Sequence, residues 1–136
     1  MEKCIFCRIT NGEIPSAKIY EDDDVVSFLD IAPANKGHAL IITKKHFETL
    51  LDIPDDVICS LMSASKKVAR AMYSALGNEG FNLLLNNKSV AGQVVPHAHI
   101  HIIPRFSGDG VRFSWASKIY KSKEIDEVRD KIKSFL

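Results

Sequence analysis

Three histidines at alternate positions, His97, His99 and His101, restrict the fold of this chain more than any other feature, because apolar residues separate and follow them. Successive side chains of a β-strand point to opposite faces of the sheet, so residues two apart share a face. A strand over residues 97–105 would place the three imidazoles on one face and apolar side chains in a core on the other. Three imidazoles gathered in this way indicate a functional site.

Such a histidine face suits two kinds of chemistry. The three rings can ligate a metal, or a neutral imidazole can act as nucleophile or base near neutral pH, since its unperturbed pKa is about 6.5. The spacing of the three histidines does not choose between a metal centre and a metal-free catalytic centre.

Length and charge limit the other possibilities. The chain has 136 residues and no internal repeat or long linker, so we expect one domain over residues 1–136. The formal net charge of +1 offers no large basic surface for nucleic acid or for an anionic membrane, and we expect neither as a partner. Any anion must therefore be bound by a local pocket.

The N-terminal segment and the number of cysteines indicate the cellular compartment. Residues 1–8 lack a long apolar stretch and a cleavage site, so we expect no secretory signal. Three cysteines are an odd number that does not suit a disulfide framework, which favours a reducing cytoplasm. Cys59, inside a predicted helix, is expected to be a small buried apolar residue.

Hydrophobic periodicity and turn residues predict an α+β fold, with an antiparallel sheet of about five strands, one long helix and a C-terminal helix. The predicted strands cover residues 18–21, 25–30, 38–43, 80–87 and 97–105, and the predicted helical segments cover residues 4–12, 55–76 and 124–136.

The long predicted helix carries two neighbouring apolar stripes, one including Leu61 and Val68 and the other including Met62 and Leu76. A surface helix needs only one such stripe. The second stripe is explained either by deep burial within the chain or by packing on a second subunit. The latter interpretation predicts a homodimer.

The histidine run resembles the signature of the histidine triad family, in which histidines alternate with apolar residues. The resemblance covers residues 4–106 and is strongest to the purine-nucleoside phosphoramidases and their zinc-carrying bacterial relatives. It implies a HIT-like α+β fold, a homodimer and an enzyme that acts on a purine nucleotide. The further matching segments are Glu13-Ile14-Pro15, Tyr20-Glu21-Asp22-Asp23, Phe28-Leu29-Asp30-Ile31, Gly37-His38, Lys44-Lys45-His46 and Ala91-Gly92-Gln93.

The resemblance implies roles for three catalytic histidines. In the family, the middle histidine, here His99, attacks the α-phosphorus of a nucleotide, and water then hydrolyses the nucleotidyl-histidine. Its other ring nitrogen would be held by a backbone carbonyl. His101 would donate to a phosphate oxygen or leaving group, and His38 would orient it. His101 stands where the family's nucleotide transferases carry glutamine, which favours hydrolysis, and the chemical step would require no metal.

The same resemblance implies a substrate pocket. Asp30 would accept hydrogen bonds from the ribose hydroxyls. Val94 stands where the phosphoramidase branch commonly has a serine, so a phosphoramidate, an acyl adenylate and a dinucleoside polyphosphate all remain candidate substrates. The other positions are the apolar walls of the base pocket, Phe6, Ile14, Phe28 and Ile31, and the surroundings of the sugar and α-phosphate, Asn86, Gly92 and Gln93.

Cys4 and Cys7 have a spacing that suits one tetrahedral metal, although a redox pair has the same spacing. A thioredoxin-like pair would follow a buried strand, and only three residues precede Cys4. In zinc-carrying relatives the remaining ligands map onto His46 and His97. The resemblance therefore implies a closed Cys2His2 zinc site, with His97 structural and the chemistry resting on His99 and His101.

Two other functions remain open at this level. A metal-dependent hydrolase would use all three alternating histidines as ligands, and a non-catalytic module would bind a nucleotide without turnover. The segment 107–120, which includes Trp115, is expected to be either a loop near the pocket or part of the dimer surface.

Overall fold

The computed structural model describes residues 4–136 and has the predicted α+β architecture. Residues 1–3, which belong to the predicted domain and to the segment considered for a secretory signal, lie outside the described residues. The elements in chain order are α1 (Ile5–Thr10), β1 (Lys18–Glu21), β2 (Val25–Leu29), β3 (Ala39–Thr43), α2 (Asp55–Leu76), β4 (Gly80–Leu84), β5 (His99–Arg105) and α3 (Glu124–Lys133), with 3-10 turns at Leu50–Asp52 and Ser89–Ala91.

The five strands form one antiparallel sheet in the order β1-β2-β3-β5-β4, with β4 at one edge and β1 at the other. The strand β5 pairs with β3 on one side and β4 on the other. Its register places His99 opposite Ile42, and His101 opposite both Leu40 and Leu84. Cross-strand partners share a face, so the histidines have defined neighbours on both sides.

The two faces of the sheet pack against different helices, as the alternation in β5 predicts. On one face, Ala98, Ile100 and Ile102 are buried in a core that also contains Leu61 and Val68 of α2. On the other face, α1 covers part of the sheet. That second core contains Phe6 and Ile9 of α1 with Val26, Phe28, Leu40 and Ile42.

The strand β5 begins at His99, two residues later than predicted. The amide of Ala98 donates to the carbonyl of Phe47 at 2.7 Å, so the chain before His99 is bonded to a loop and not to a neighbouring strand. His97 is nevertheless fully buried, and its ring lies 5.8 Å from the Phe6 ring between centroids, on the side that also holds His99. The other element ends either coincide with prediction or differ from it by at most three residues, within the usual uncertainty of predicted boundaries.

The helix α2 has the predicted bounds, and Gly77 ends it in a left-handed conformation with φ 63°. Its second apolar stripe is only partly buried in this chain, because Ala69 and Met72 are buried whereas Met62 and Leu76 are 48% and 41% exposed. The expectation that Cys59 is buried was wrong, since this thiol is exposed. It lies two positions before the buried Leu61, about 200° around the helix axis.

Within residues 4–136, no helix combines the length and the apolar character needed to cross a membrane.

Candidate active site and metal centre

A cavity of about 660 Å³ opens on the face of the sheet that α1 partly covers. It extends across the strands, from Phe28 of β2 over the histidines of β5 to Leu84 of β4. Eleven of the twelve predicted catalytic and substrate-binding residues line it, namely Phe6, Ile14, Phe28, Asp30, Ile31, His38, Asn86, Gly92, Val94, His99 and His101.

The ring of His99 has its two nitrogens in different surroundings. Its Nδ1 lies 2.7 Å from the carbonyl oxygen of His97, which can only accept, so Nδ1 carries the hydrogen and Nε2 keeps a lone pair. The side chain is 5% exposed, its ring meets that of Phe6 edge-on at 5.1 Å, and burial lowers the pKa of His99. A neutral imidazole with Nε2 unprotonated is the form that can act as a nucleophile.

A second hydrogen-bond chain sets the tautomers of His38 and His101. The amide of Ala34 donates to Nδ1 of His38 at 3.0 Å, so the hydrogen of a neutral His38 is on Nε2. That nitrogen lies 2.9 Å from Nδ1 of His101 and donates to it. The hydrogen of His101 is therefore on Nε2, where it can be donated to a ligand.

Burial keeps both of these rings neutral. Desolvation, followed by the neighbouring His99 and His38, lowers the pKa of His101 to about 4. Desolvation also lowers the pKa of His38, although Asp30 lies 3.7 Å from its Nε2 and acts in the opposite direction. Because desolvation prevails, the contact between His38 and Asp30 is not an ion pair at neutral pH.

Asp30 follows β2 directly and lines the cavity with its side chain 20% exposed. Its Oδ1 accepts the amide hydrogen of Ala32 at 2.8 Å, which orients the carboxylate. The remaining acceptor positions are available to a pair of hydroxyl groups.

The apolar end of the cavity lies between α1 and β2. The rings of Phe6 and Phe28 meet edge-on at 5.8 Å, and Ile14 packs against the same core. Ile31 is fully exposed at the rim. These side chains form an apolar cleft of the kind that receives a planar ring.

The loop between β4 and β5 borders the histidines. Nδ2 of Asn86 donates to the carbonyl of Gly92 at 3.3 Å. Gly92 has a φ of 90°, and a Cβ there would lie 3.3 Å from Nδ2 of Asn86, so this position favours glycine. Val94 is 90% exposed and presents no polar group to the cavity.

Gln93 does not line the cavity, unlike its neighbours Gly92 and Val94. Its side chain is buried, with Oε1 accepting the amide of Lys88 and Nε2 donating to the carbonyl of Glu48, both at 2.7 Å. The structure therefore places this side chain where it shapes the loop, away from the expected sugar and phosphate positions. A side-chain amide, which both donates and accepts, suits such a bridge.

The segment 107–120 was predicted to be either a loop near the pocket or part of the dimer surface. The structure places Val111, Arg112 and Phe113 of this segment in the cavity lining. Arg105 anchors this segment, since its guanidinium bonds both carboxylate oxygens of Asp109 at 2.7 and 3.0 Å and the carbonyl of Val111 at 2.7 Å. The hydrogen bond from Arg105 holds the pKa of Asp109 well below its usual range. The sequence contained a signal for this anchor, because Arg105 and Asp109 carry opposite charges four residues apart and glycines flank Asp109 on both sides.

Cys4, Cys7, His46 and His97 come together beside the cavity, with one ligand atom from each within 4.8 Å of all the others. The Cys4 and Cys7 sulfurs lie 3.4 and 3.6 Å from Nδ1 of His97, and the Cys7 sulfur lies 3.4 Å from Nδ1 of His46. Zn–S and Zn–N bonds in a tetrahedron imply S···N separations of about 3.6 Å. The residues present therefore fit a zinc ion.

The surroundings of His97 support the same assignment. Its Nε2 lies 2.7 Å from the carbonyl oxygen of Thr43 and donates to it, which leaves the Nδ1 lone pair directed at the sulfurs. Metal-ligating histidines usually donate their other ring hydrogen in this way.

The three alternating histidines do not form a common metal site. Within residues 4–136, the clusters with metal-binding geometry are the Cys2His2 group and the group of Asp30, His38 and His101. In the second group, the Ala34 amide donates to Nδ1 of His38, so the hydrogen of the neutral ring is on Nε2. That nitrogen faces Asp30 and His101 and is the one that would have to bind the metal. A metal centre built on His97, His99 and His101 is therefore not supported.

Comparisons with known proteins agree with this geometry. The HIT domain family model matches residues 11–108. An adenosine 5′-monophosphoramidase of Schizosaccharomyces pombe is 39% identical over 132 residues, which cover 96% of each chain. A crystal structure of a HIT family member from Bacillus subtilis is similar with a TM-score of 0.93 and 41% identity, covering 98% of this chain and 97% of that one. A zinc-bound histidine triad family protein from Mycobacterium smegmatis has a TM-score of 0.78 and 30% identity, covering 99% of both chains.

Proposed function

Because the chain belongs to the histidine triad (HIT) family, we propose that it is a hydrolase that cleaves the bond between the α-phosphorus of a purine nucleotide and a leaving group. The leaving group is an amine in a phosphoramidate, a carboxylate in an acyl adenylate or a second nucleotide in a dinucleoside polyphosphate. The observation that carries this proposal is the bond from His99 Nδ1 to the His97 carbonyl, which makes Nε2 of His99 the nitrogen with a free lone pair.

The first step forms the covalent intermediate. The Nε2 lone pair of His99 forms a bond to the α-phosphorus while the bond to the leaving nitrogen breaks, and that nitrogen departs as an amine after taking a proton from solvent. The nucleotidyl-His99 ring is now cationic, and its Nδ1 hydrogen remains bonded to the His97 carbonyl. This bond stabilises the positive charge.

The second step releases the nucleotide. Water attacks the phosphorus, the bond to His99 Nε2 breaks, and the proton taken up in the first step returns to solvent. Nε2–H of His101 donates to a phosphate oxygen in both transition states, because the chain from Ala34 through His38 directs that hydrogen toward the cavity. A neutral His101 is suited to this role as a hydrogen-bond donor.

The cavity supports a purine nucleotide as substrate. We propose that Asp30 accepts hydrogen bonds from the ribose hydroxyls and that Asn86, Gly92 and Val94 border the sugar and α-phosphate. Gln93 acts on this loop through the bridge to Lys88 and Glu48. The walls of the base pocket are Phe6, Ile14, Phe28 and Ile31.

We propose that Cys4, Cys7, His46 and His97 hold a structural zinc ion, which when bound cross-links the N-terminal segment to the chain before β5. The set provides four protein ligands and no open position, so the chemical step does not need the metal. The free thiols of all three cysteines suit a reducing cytoplasm, which we propose as the compartment.

We further propose that the protein is a homodimer formed through β4 and α2. Phe81 and Leu83 of the edge strand β4 are 39% and 41% exposed, and Met62 and Tyr73 of α2 are 48% and 42% exposed. The Phe81 and Tyr73 rings are in contact at 5.8 Å, which makes the apolar patch continuous. A second copy would cover the patch and pair with the free edge of β4.

The proposed function is tested by trapping the intermediate. Wild type and His99→Gly are offered adenosine and guanosine phosphoramidates, acyl adenylates and dinucleoside polyphosphates, with Cys59→Ser as the control. Turnover is quenched in alkaline denaturant, which preserves a phosphorus–nitrogen bond, and the protein is analysed by peptide mass spectrometry. We expect a nucleotidyl group on His99 in wild type and Cys59→Ser, and no turnover in His99→Gly.

Two outcomes contradict the proposal. Nucleotidylation of another side chain, or full activity of His99→Gly, excludes His99 as the nucleophile. Binding of AMP without turnover of any compound indicates a nucleotide-binding module instead of an enzyme.

A further inference from the structure

The wall of the cavity formed by residues 111–113 carries an arginine, Arg112, that the proposed mechanism does not use. We infer that Arg112 selects substrates whose leaving group carries a negative charge. This inference rests on the proposed function, because it names the class of leaving group that the same cavity accepts.

The position of this wall is defined by bonds on both sides. Asp109 accepts hydrogen bonds from the backbone amides of Phe106 and Val111, in addition to its bonds with Arg105. Asn35 donates to Asp109 at 2.9 Å and connects the segment to the chain before β3. The backbone directly before Arg112 is therefore restrained, so its side chain originates from a defined point at the cavity.

The wall lies at the carboxyl end of β5, where Arg105 holds it, whereas Phe6 of the base pocket contacts His97 and His99 at the start of that strand. Arg105 of β5 donates to Asn82 of β4 at 2.8 Å, and the guanidinium that makes this bond also holds the carbonyl of Val111. The apolar cleft lies at the opposite end, between α1 and β2, where Phe28 lines the cavity. Between the two ends stand His99 and His101 on β5.

This order determines which part of a substrate meets Arg112. With the base against Phe28 and the α-phosphorus at His99, the chain of atoms beyond the phosphorus extends toward β4 and the wall. The leaving group is the part of the substrate on that side. Arg112 is therefore placed to contact the leaving group and not the nucleoside.

The charges in the cavity favour an anion at this end. Asp30 and Arg112 are the charged residues among those that line it, and Asp30 lies at the β2 side. Among residues 4–136, no ion pair and no side-chain hydrogen bond involves the guanidinium of Arg112. With a net charge of only +1, the protein has no strong general field, so this local cation dominates discrimination at the wall.

We expect Arg112 to discriminate only moderately between negatively charged and neutral leaving groups, because its side chain is solvent-exposed. A charge pair at a distance of a few ångströms in a largely aqueous environment changes an equilibrium by about tenfold. Added salt screens such a pair.

The test compares two substrates that differ only in charge. These are the adenosine 5′-phosphoramidates of β-alanine, which carries a carboxylate, and of β-alaninamide, which is neutral. We expect the wild-type kcat/KM for the carboxylate substrate to exceed that for the amide about five- to tenfold, with the preference decreasing as salt is added. Arg112→Gln should bring the ratio near one, and Arg112→Glu should invert it.

Lys118→Gln is the matched control, because it removes one positive charge from the same exposed segment outside the cavity lining. Its ratio should equal that of wild type. An unchanged ratio in Arg112→Gln, or an equal loss in Lys118→Gln, overturns the inference.

A binding measurement separates this inference from the proposed function. Calorimetry with His99→Gly, alone and combined with Arg112→Gln, measures the affinity for both compounds without turnover. If the carboxylate compound binds more tightly only when Arg112 is present, the selection by charge stands even if wild type hydrolyses neither compound. If wild type hydrolyses both at equal rates and binding shows no preference, the hydrolase stands and the role of Arg112 is wrong.

Discussion

Nδ1 of His99 lies 2.7 Å from the carbonyl oxygen of His97, so a residue whose ring belongs to the candidate zinc site also holds the proposed nucleophile through its backbone. The bond from the Ala98 amide to the Phe47 carbonyl holds the backbone at this point, and the contacts of the His97 ring restrain it further. The ring is fixed by Thr43 on one side and by the sulfurs of Cys4 and Cys7 on the other. The candidate metal site and the proposed nucleophile are therefore connected through one residue, and we propose that the metal takes no part in the chemical step.

Replacing both Cys4 and Cys7 with serine should abolish zinc binding, lower the thermal unfolding temperature by several degrees and reduce kcat/KM. The reason is that a structural zinc contributes its binding free energy to folding, and the proposed ion would also restrain His97. Metal content by mass spectrometry, thermal unfolding and phosphoramidase assays provide the measurements. The exposed Cys59→Ser should match wild type in all three. The prediction would be refuted if wild type contains no zinc and a chelator changes neither its unfolding temperature nor its activity.

Leu83→Asp should convert the proposed dimer to a monomer, because it places a charge at the centre of the exposed patch on β4. Sedimentation or light scattering measures the mass. The matched control is Ile19→Asp, which introduces the same charge at a residue that is 47% exposed on β1, the opposite edge of the sheet. If wild type is already monomeric, or if both variants dissociate equally, the β4 interface is wrong.

His38→Phe should lower kcat/KM roughly 10- to 100-fold, comparable to losing part of a transition-state hydrogen bond. The change removes the donor that keeps Nδ1 of His101 as an acceptor, so the hydrogen of His101 is no longer directed to Nε2. His38→Gln keeps a donor on its side chain and should retain more activity. The loss should be mainly in kcat, and a pure increase in KM would contradict the proposed relay.

The protein should become less stable as the pH falls from about 6.5 to about 4. In the folded state the pKa of His101 is lowered to about 4 and that of His38 is also lowered, mainly by desolvation, whereas the unfolded chain has the ordinary value of about 6.5. Between these values the unfolded state binds more protons, so lowering the pH favours unfolding, and the stabilisation is complete only above 6.5.

Urea unfolding between pH 7 and pH 4 measures this dependence. We expect wild type to lose about 1–3 kcal/mol across that range from these two groups, after allowance for their partial solvation. His101→Gln lacks one of the titrating groups and should show a shallower dependence. Equal slopes for the two proteins would show that His101 is protonated normally in the folded state.

Gly37→Ala should destabilise the protein by about 1–3 kcal/mol, which is typical of a residue forced into a disfavoured backbone region. Gly37 has a φ of 95°, and an added Cβ would overlap the Cδ1 methyl of Leu76. Because His38 follows directly, activity should fall by more than the loss of folded protein explains. Thermal unfolding and kcat/KM are the measurements. Gly80→Ala, where a Cβ meets nothing within 4 Å and φ is not positive, should have little effect on either.

The sequence by itself determined the features that depend on local periodicity. The alternation around His99 and His101 predicted both the strand and its two faces, because each residue's face follows from its position along one strand. The bounds of α2 followed from its apolar spacing in the same way. The family resemblance further indicated Asp30 and His38, which the structure brings to the same cavity as the two histidines.

Only the tertiary structure decided the features that depend on bonds between distant segments. The start of β5 depends on the bond between Ala98 and Phe47, and the location of Gln93 depends on its bridge to Glu48. The place of Arg112 at the cavity depends on a network that joins β5, β4 and the chain before β3. Such contacts have no period in the sequence, because their partners are set by how separate elements pack and not by the spacing of residues within one element.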